Sequence, residues 1–194
     1  GVLALMGDDH TAESSTTAHQ SEYHFVDVMI PILNPAGVQE IIDYGLYGFA
    51  MSRFCGTWSA LKCMHDTVES TAVVDGSLDR VNIVIPQDFV MPPDGLNIRL
   101  SDTILGQEAR LYDYKRDAML AFIRANKLNK IITSGGPSAK IGIITTGKAY
   151  LDVRQALDEL GLDEVRCNDL GIRLFKIACV WPISSSWLST SPSR

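Results

Sequence analysis

The sequence predicts an α/β fold in which layers of parallel strands are flanked by helices, and three observations predict it. Short apolar runs at residues 1–6, 30–33 and 57–64 are typical of buried strands. A helix with a broad apolar stripe separates the second run from the third. Buried strand, helix and buried strand in this order imply parallel pairing with right-handed crossovers. A similar unit is expected near the end of the chain, between residues 139–145 and 172–183.

The composition is that of a globular protein without a nucleic-acid footprint. The 194 residues are 46% hydrophobic and 21% charged, and their formal net charge is −6. An acidic chain with no basic patch has little to attract a phosphate backbone. No apolar run approaches the roughly 20 residues that span a bilayer. Residues 2–6 are too short, and lack the basic flank, for a signal peptide. We therefore expect a cytoplasmic protein that binds neither nucleic acid nor membrane.

The four cysteines predict no metal site. Cys55, Cys63, Cys167 and Cys179 lie far apart and form no C-x-x-C pair. Such spacing is typical of reduced, buried thiols in a cytoplasmic protein.

The first predicted unit covers residues 1–71. Its first strand runs into a polar turn at residues 7–10, and a short helix is expected over residues 19–28. Asn34 and Pro35 predict the start of the next helix, because Asn caps helices and Pro suits the first helical position.

The rest of the chain divides into a connector at 72–128, a second unit at 129–183 and a tail at 184–194. For the connector we predict a strand at 80–85, an extended segment at 86–103 and a helix at 106–125. For the second unit we predict a turn at 134–137, strands at 139–145 and 172–183, and helices at 149–160 and 163–170. The Ser-rich tail is predicted to be disordered. Since a lone βαβ unit cannot cover both faces of its strands, we interpret the chain as a slice of a larger enzyme.

The polar turn at residues 7–10 is the first candidate for chemistry. Ligands of open α/β sheets bind at the carboxyl edge, where this turn is expected. Adjacent Asp8 and Asp9 suit Mg²⁺ or a polar substrate, or else they cap the following turn with His10 exposed. Downstream, Ser14 and Ser15 offer small hydroxyls for close approach to a phosphate or carboxylate, or form a plain surface loop.

Two further turns are weaker candidates. The sequence at 145–148, Thr-Thr-Gly-Lys, suits an anion at a helix start but lacks the spacing of a phosphate-binding loop. A tight turn with a solvent-facing Lys148 is the favoured interpretation. His65 and Asp66 follow a strand, where they face a site or form a solvated turn.

Several segments together resemble the indolepyruvate ferredoxin oxidoreductases, a family of thiamine-diphosphate-dependent 2-oxoacid oxidoreductases. The segments that carry the resemblance are GDDH at 7–10, SS at 14–15, QSEY at 20–23, IPILNP at 30–35, VQE at 38–40, EARL at 108–111, IGIITTGKAYLDVRQAL at 141–157 and residues 176–182. The resemblance covers nearly all of residues 1–183. It implies part of a pyrimidine-binding domain, followed by the start of a transketolase-C-terminal-like domain, both incomplete.

The resemblance implies oxidative decarboxylation of an aryl 2-oxoacid to an acyl-CoA, with electrons passed through [4Fe-4S] clusters to ferredoxin. The complete enzyme is expected to use thiamine diphosphate, Mg²⁺ and CoA and to form a homo-oligomer with its remaining domains. The family's activating glutamate, its diphosphate- and Mg²⁺-binding domain and its cluster cysteines are expected outside this segment. Asp8 and Asp9 are therefore not predicted to be the family's Mg²⁺ site, and no cofactor is expected to bind tightly to this chain alone.

The resemblance also suggests which residues line the cleft. In related pyruvate enzymes the stretch that corresponds to residues 8–23 carries a substrate-contacting Arg, and here it has none. In its place, the residues expected to line the substrate and cofactor cleft are Asp9, His10, Ser14, Ser15, His19 and Gln20. Catalytic residues are not predicted within this segment. The alternatives are a non-catalytic assembly module that binds partner domains, or a stand-alone small ligand-binding protein.

Overall fold

The computed structural model describes residues 1–13, 15–137 and 139–184. The candidate cleft residue Ser14 and almost all of the predicted tail, residues 185–194, lie outside the described residues.

The first part of the chain alternates strands and helices. Its elements are β1 (Leu3–Asp8), α1 (Glu22–Asp27), β2 (Ile32–Leu33), α2 (Val38–Cys55), β3 (Ser59–Met64) and the single turn α3 (His65–Val68). A long segment without regular structure follows. The chain then forms α4 (Ile104–Arg110), a π-helical turn (Leu111–Lys115), α5 (Arg116–Ala125), β4 (Lys130–Ser134), β5 (Ile141–Thr146), α6 (Lys148–Glu159), α7 (Glu164–Leu170), β6 (Ile172–Ile177) and β7 (Cys179–Trp181).

These strands form two sheets, and the predicted α/β class is confirmed. The first sheet has the order β1-β3-β2-β7, with β3 parallel to both β1 and β2, and β7 antiparallel to β2. The second has the order β4-β6-β5, with β5 and β6 parallel and β4 antiparallel to β6. Helices flank the strands, as the apolar stripes predict.

The first sheet is packed on both faces. On one face α2 and α5 enclose the largest core, whose fully buried members include Leu33, Met51, Phe122 and Ile123. On the other face α1 covers a smaller cluster built on Met6, Ile32 and Ala60. The side chain of Met6 points toward α1, so that of Asp8, two residues along the same strand, faces the same side. This alternation brings a carboxylate beneath the start of α1.

The strand predicted at 80–85 is wrong. Among the described residues this segment has no regular structure, and most of its side chains are exposed. The side chain of Asn126 binds the backbone of one residue in it, because its Oδ1 accepts from Val84 N at 2.8 Å and its Nδ2 donates to Val84 O at 2.9 Å. The amide group of Asn126 thus satisfies Val84 without a partner strand.

The strand predicted at 172–183 is divided between the two sheets. Its first half is β6, and its second half, β7, returns to the first sheet beside β2. The break is held by Asn129, whose Oδ1 accepts from the N–H groups of Ala178 and Cys179 at 2.9 and 2.8 Å. The strand β4, which directly follows Asn129, was not predicted at all.

The helix start predicted at Asn34 and Pro35 is also displaced. The helix α2 begins at Val38 after Gly37, and its predicted cap has another role. Asn34 Nδ2 donates to Thr146 Oγ1 at 3.2 Å, and the Asn34 N–H donates to Ala178 O at 2.8 Å. Asn34 therefore joins the first sheet to the turn that follows β5.

The four cysteines are free thiols, and three of them, Cys55, Cys167 and Cys179, are buried. Burial raises the pKa of all four thiols, including that of the half-buried Cys63. Within the described part of the chain, no helix has the length and hydropathy that crossing a bilayer requires.

Candidate functional site

The candidate site lies at the carboxyl edge of β1 and β3. These two strands are parallel and in register from Leu3 opposite Ser59 to Asp8 opposite Met64, so both end at the same edge. The loop from Asp9 to Ser21 folds back over this edge and leads into α1. The predicted strand at residues 1–6 is therefore displaced toward the C terminus, and Asp8 is part of the strand rather than of the polar turn.

A buried ion-pair network forms the floor of the site. The carboxylate of Asp8 and the ammonium of Lys62 are 3.4 Å apart, and their side chains are 0% and 1% exposed. Lys62 also pairs with the Glu22 carboxylate, which is 26% exposed. The Ser21 side chain donates to Asp8 Oδ1 at 2.6 Å, and the Ser21 N–H donates to Asp8 Oδ2 at 3.2 Å. One ammonium thus pairs with two carboxylates from different elements, and the group keeps one net negative charge.

The pKa of Asp8 lies below its ordinary value. Burial acts to raise this pKa, but the two hydrogen bonds from Ser21 and the charge of Lys62 lower it by more. Asp8 is therefore ionised at neutral pH, and its charge ties the start of α1 to the end of β1.

The carboxylate of Asp9 holds the loop in shape. Asp9 Oδ1 accepts from the N–H of Glu13 at 3.0 Å, and Oδ2 accepts from the N–H of Ser15 at 2.7 Å. Its backbone carbonyl accepts from the N–H of His19 at 3.1 Å, which closes the loop as an isolated antiparallel bridge. Because His19 is held in this bridge, the helix predicted at 19–28 begins only at Glu22.

The two imidazoles of the loop lie on either side of the network. His19 Nε2 donates to the Gly7 carbonyl at 3.3 Å, and the same nitrogen is 4.0 Å from Asp8 Oδ1. His10 Nδ1 lies 3.5 Å from the Gln20 amide nitrogen. If Gln20 donates in this contact, His10 carries its proton on Nε2 and presents a donor.

Two polar atoms of the site are buried and have no hydrogen-bond partner among the described residues. They are His10 Nε2 and Glu22 Oε2. An imidazole nitrogen and a carboxylate oxygen are complementary in their hydrogen-bonding roles, and a buried polar atom without a partner costs free energy. The pair therefore fits a polar ligand atom at the edge of the sheet.

The same residues form a geometric metal-ligand group. Asp8, His10 and Glu22 each offer one ligand atom, and these atoms lie within 4.8 Å of one another. The Lys62 ammonium balances one of the two carboxylate charges, and Ser21 donates to both oxygens of Asp8. The oxygens of Asp9 are likewise engaged by the loop backbone. A cation bound here would have to compete with these contacts.

The structure brings together most of the residues predicted for the cleft. Asp9, His10, His19 and Gln20 surround the end of β1, and the backbone of Ser15 is bound to Asp9. Sequence reasoning missed Lys62 and assigned no role to Glu22. The signal for Lys62 was a charged residue in the middle of an apolar strand, where burial demands a charged partner.

The weaker candidates have structural partners. His65 Nε2 lies 3.7 Å from Glu13 Oε2, so His65 faces the loop of the site. Lys148 pairs with Asp152 one turn along α6, at 2.7 Å, and Thr146 Oγ1 donates to the Ile177 carbonyl. The turn at 145–148 therefore directs its side chains to its own scaffold, in agreement with the structural interpretation.

Comparison with known proteins finds relatives of the chain. Residues 131–190 match the family model described as "Indolepyruvate oxidoreductase domain". The chain is 23% identical over 171 residues to "Indolepyruvate oxidoreductase subunit IorA" of Methanothermobacter thermautotrophicus. It is 25% identical over 169 residues to the protein of the same name from Methanothermobacter marburgensis.

Both alignments cover 84% of this chain and 26% of the relative. The chain thus spans about a quarter of the length of the curated relatives that it matches. The family resemblance stated from the sequence motifs is confirmed by these matches, which support a relationship to the indolepyruvate oxidoreductases.

Proposed function

We propose that this chain is a segment of an oxidoreductase that oxidatively decarboxylates an aryl 2-oxoacid, with indolepyruvate as the substrate. The product is an acyl-CoA, and ferredoxin accepts the electrons. Support comes from the two relatives, each named as an indolepyruvate oxidoreductase subunit. The observation that carries the proposal is the pair of buried, unpartnered atoms, His10 Nε2 and Glu22 Oε2, at the carboxyl edge of parallel strands.

In this proposal the loop of residues 9–20 lines the cleft for substrate and cofactor. His10 donates a hydrogen bond from Nε2 to an oxygen of the 2-oxoacid, and Glu22 Oε2 accepts one from a polar group beside it. Thiamine diphosphate, when bound, supplies the carbanion chemistry of decarboxylation. The two unpartnered atoms fit a polar group of substrate or cofactor, and its Mg²⁺ would have to compete with the contacts that engage the oxygens of Asp8 and Asp9.

Lys62, Asp8 and Asp9 act as positioning residues. Lys62 holds Glu22 in place through their ion pair, and Asp8 holds Ser21 at the start of α1. Asp9 fixes the loop that carries both imidazoles. Since none of the three needs to touch the substrate, their effect on the reaction is through the geometry of His10, His19 and Glu22.

The iron–sulfur clusters of the proposed enzyme do not fit the cysteines of this segment. The four cysteines are free thiols, and among the described residues no three of them lie close enough together to share a metal ion. We assign the clusters and the CoA site to other parts of the enzyme. Its partners are then the remaining domains and subunits together with ferredoxin, and the complete enzyme is a homo-oligomer in the cytoplasm.

A second candidate function is that of an assembly module without catalytic residues. The observation that favours it is apolar exposure on two edge strands: Leu5 of β1 is 70% exposed, and Ile141 and Ile144 of β5 are each 55% exposed. Sedimentation velocity of the isolated chain measures whether it self-associates, as exposed edge strands would favour. A sharply monomeric chain that unfolds cooperatively would count against both the fragment and the assembly interpretations.

The proposed activity is tested with the complete enzyme that contains this segment. We expect indolepyruvate-dependent reduction of ferredoxin that requires CoA and thiamine diphosphate. Phenylpyruvate and a branched aliphatic 2-oxoacid serve as the comparison substrates. An enzyme that turns over none of the three, with its cofactors bound, would overturn the proposal.

A further inference from the structure

A cavity of about 700 Å³ lies at the opposite edge of the first sheet from the candidate site. It is formed by residues that precede β2 and β3, such as Met29 and Thr57, whereas the candidate site follows β1 and β3. Its outer wall comes from the π-helical turn, through Leu111 and Tyr112. The volume is within the range of small-molecule sites, roughly 300–1,000 Å³. The cavity therefore has room for a ligand that the candidate site does not bind.

A single buried lysine supplies the cavity with a cationic group. Lys115 is only 7% exposed, and its Nζ donates to the Gly56 carbonyl at 2.8 Å. The next residue, Thr57, has a buried hydroxyl without a hydrogen-bond partner among the described residues. Lys115 closes the π-helical turn, a distortion that is found frequently at functional sites. The Lys115 ammonium, which has further N–H donors, is bound to Gly56, and the unsatisfied hydroxyl belongs to the next residue, Thr57.

The other charges of the cavity wall determine what this ammonium can bind. Arg110 is 2.9 Å from the Asp94 carboxylate, and Asp102 pairs with Arg99 at 2.9 Å. Lys115, in contrast, belongs to none of the ion pairs within 4.0 Å among the described residues. Asp27 and Glu108 also line the cavity. Their negative charges repel an anion in proportion to its charge, so a single carboxylate held by Lys115 suits the cavity better than a doubly charged group such as a phosphate.

The remaining wall is apolar and aromatic. The Trp58 side chain follows Thr57 directly and is 55% exposed, and Tyr112 is 59% exposed. Val28 and Ile98 add aliphatic surface. Aromatic walls favour a flat apolar body, because stacked and edge-on ring contacts stabilise it beyond simple burial.

We propose that this cavity binds a small monocarboxylate with a flat aromatic body, whose carboxylate is anchored by Lys115 and whose ring packs on Trp58. Burial lowers the pKa of the Lys115 ammonium because it disfavours the charged form, and a paired carboxylate would offset that penalty. The low exposure of the side chain also limits competition from water. The site is distinct from the proposed catalytic cleft, and its occupancy does not depend on the proposed reaction.

The test is a titration of the 194-residue chain with 2-naphthoate, followed in ¹H–¹⁵N spectra. We expect saturable binding with a Kd below about 1 mM and a shift of the Trp58 indole resonance, which Trp58→Phe identifies. The neutral 2-naphthalenemethanol should bind at least tenfold more weakly. Equal affinity for the acid and the alcohol, or an unperturbed Trp58 indole, would overturn the proposal without the need for any variant.

Two lysine variants assign the anchor. Lys115→Met should remove the preference for the acid over the alcohol, whereas Lys140→Met, the same change at an exposed lysine just before β5, should retain it. An unchanged preference in Lys115→Met would show that Lys115 is not the anchor. If Lys115→Met does not fold, the comparison of acid and alcohol on the unmodified chain decides the question.

Discussion

The ammonium of Lys62 lies 3.4 Å from the carboxylate of Asp8, and neither side chain is accessible to solvent. Both residues face α1 from adjacent parallel strands, and the partly exposed carboxylate of Glu22, at the start of α1, also pairs with Lys62. The charge on each member depends on the other two. The site is therefore sensitive to any change that leaves one of these charges without a partner.

Removal of the ammonium is expected to destabilise the fold strongly. In Lys62→Met the stem of the side chain is retained, but the carboxylates of Asp8 and Glu22 are left facing each other. Loss of one partner of a buried pair costs about 3–5 kcal/mol, and the partial exposure of Glu22 favours the lower end. Urea unfolding at neutral pH measures the change, with Lys140→Met as the exposed control. A loss under about 1 kcal/mol, as for a surface pair, would contradict the description of the network.

The lowered pKa of Asp8 predicts a pH dependence of stability. Because the pKa is lower in the folded than in the unfolded chain, Asp8 contributes its full stabilisation above its ordinary value of 3.8. That contribution is lost as the pH falls further, through the folded pKa. Asp8→Asn removes the titrating group, so the difference in the free energy of unfolding between the wild type and this variant should shrink below about pH 4. A difference that stays constant or grows on acidification would contradict the assignment.

The junction between the two sheets is expected to tolerate no side chain at Gly147. This residue has φ 54° and ψ −147°, a conformation that L side chains rarely adopt. A methyl group on it would also lie 2.7 Å from the Asn34 amide nitrogen, which is bound to Thr146. Gly147→Ala should therefore destabilise the chain by about 1–3 kcal/mol.

The control for this prediction is Gly142→Ala, five residues earlier in β5. A methyl group at Gly142 would meet no described atom within 4 Å. Alanine suits a strand better than glycine does, so this variant should be neutral or slightly more stable. Thermal unfolding of the two variants side by side makes the comparison, and equal effects would contradict the role of Asn34 at the junction.

The isolated chain is expected to bind thiamine diphosphate and Mg²⁺ only weakly. The resemblance assigns the diphosphate anchor to a domain outside this segment, and the oxygens of Asp8 and Asp9 are already engaged. Isothermal titration with both components measures the affinity. Submicromolar binding would show that this segment holds an anchor of its own.

The parts of the fold that were predicted are those in which local pattern and tertiary contact agree. The stripe of α2 and the apolar run of β3 each predict a buried element, which the structure contains. The runs at 1–6 and 139–145 also predict buried strands, but β1 and β5 lie at sheet edges, where Leu5 is 70% exposed and Ile141 and Ile144 are each 55% exposed.

The prediction of a strand at 80–85 was wrong because a short apolar run does not specify a partner strand, and Asn126 binds the backbone of Val84 instead. Asn129 divided the last strand by contacts across about 50 residues, for which the sequence has no local signal.

The sequence predicted the loop of the candidate site, residues 9–20, but not the buried ion-pair network beneath it. A polar segment directly after an apolar run, GDDH followed by His19 and Gln20, is typical of the end of a strand. The structure brings these residues together at that end. The partners of Lys62 lie 40 and 54 residues away along the chain, and only the parallel register of β1 and β3 places the lysine beside them. A lysine within an apolar strand indicates that a buried partner exists, but the sequence does not say which residue that partner is.

The central claim is that the loop of residues 9–20 lines the 2-oxoacid cleft. The most direct test is kcat/KM for indolepyruvate in the complete enzyme that contains this segment, with His10→Ala and His19→Ala. His24→Ala, an exposed histidine on α1, is the matched control. We expect His10→Ala to lower kcat/KM by about 10²-fold or more, as the loss of a positioned donor does, with a smaller loss for His19→Ala and none for His24→Ala. Unchanged kcat/KM in both His10→Ala and His19→Ala, with cofactor bound, would contradict the assignment of this loop to the cleft.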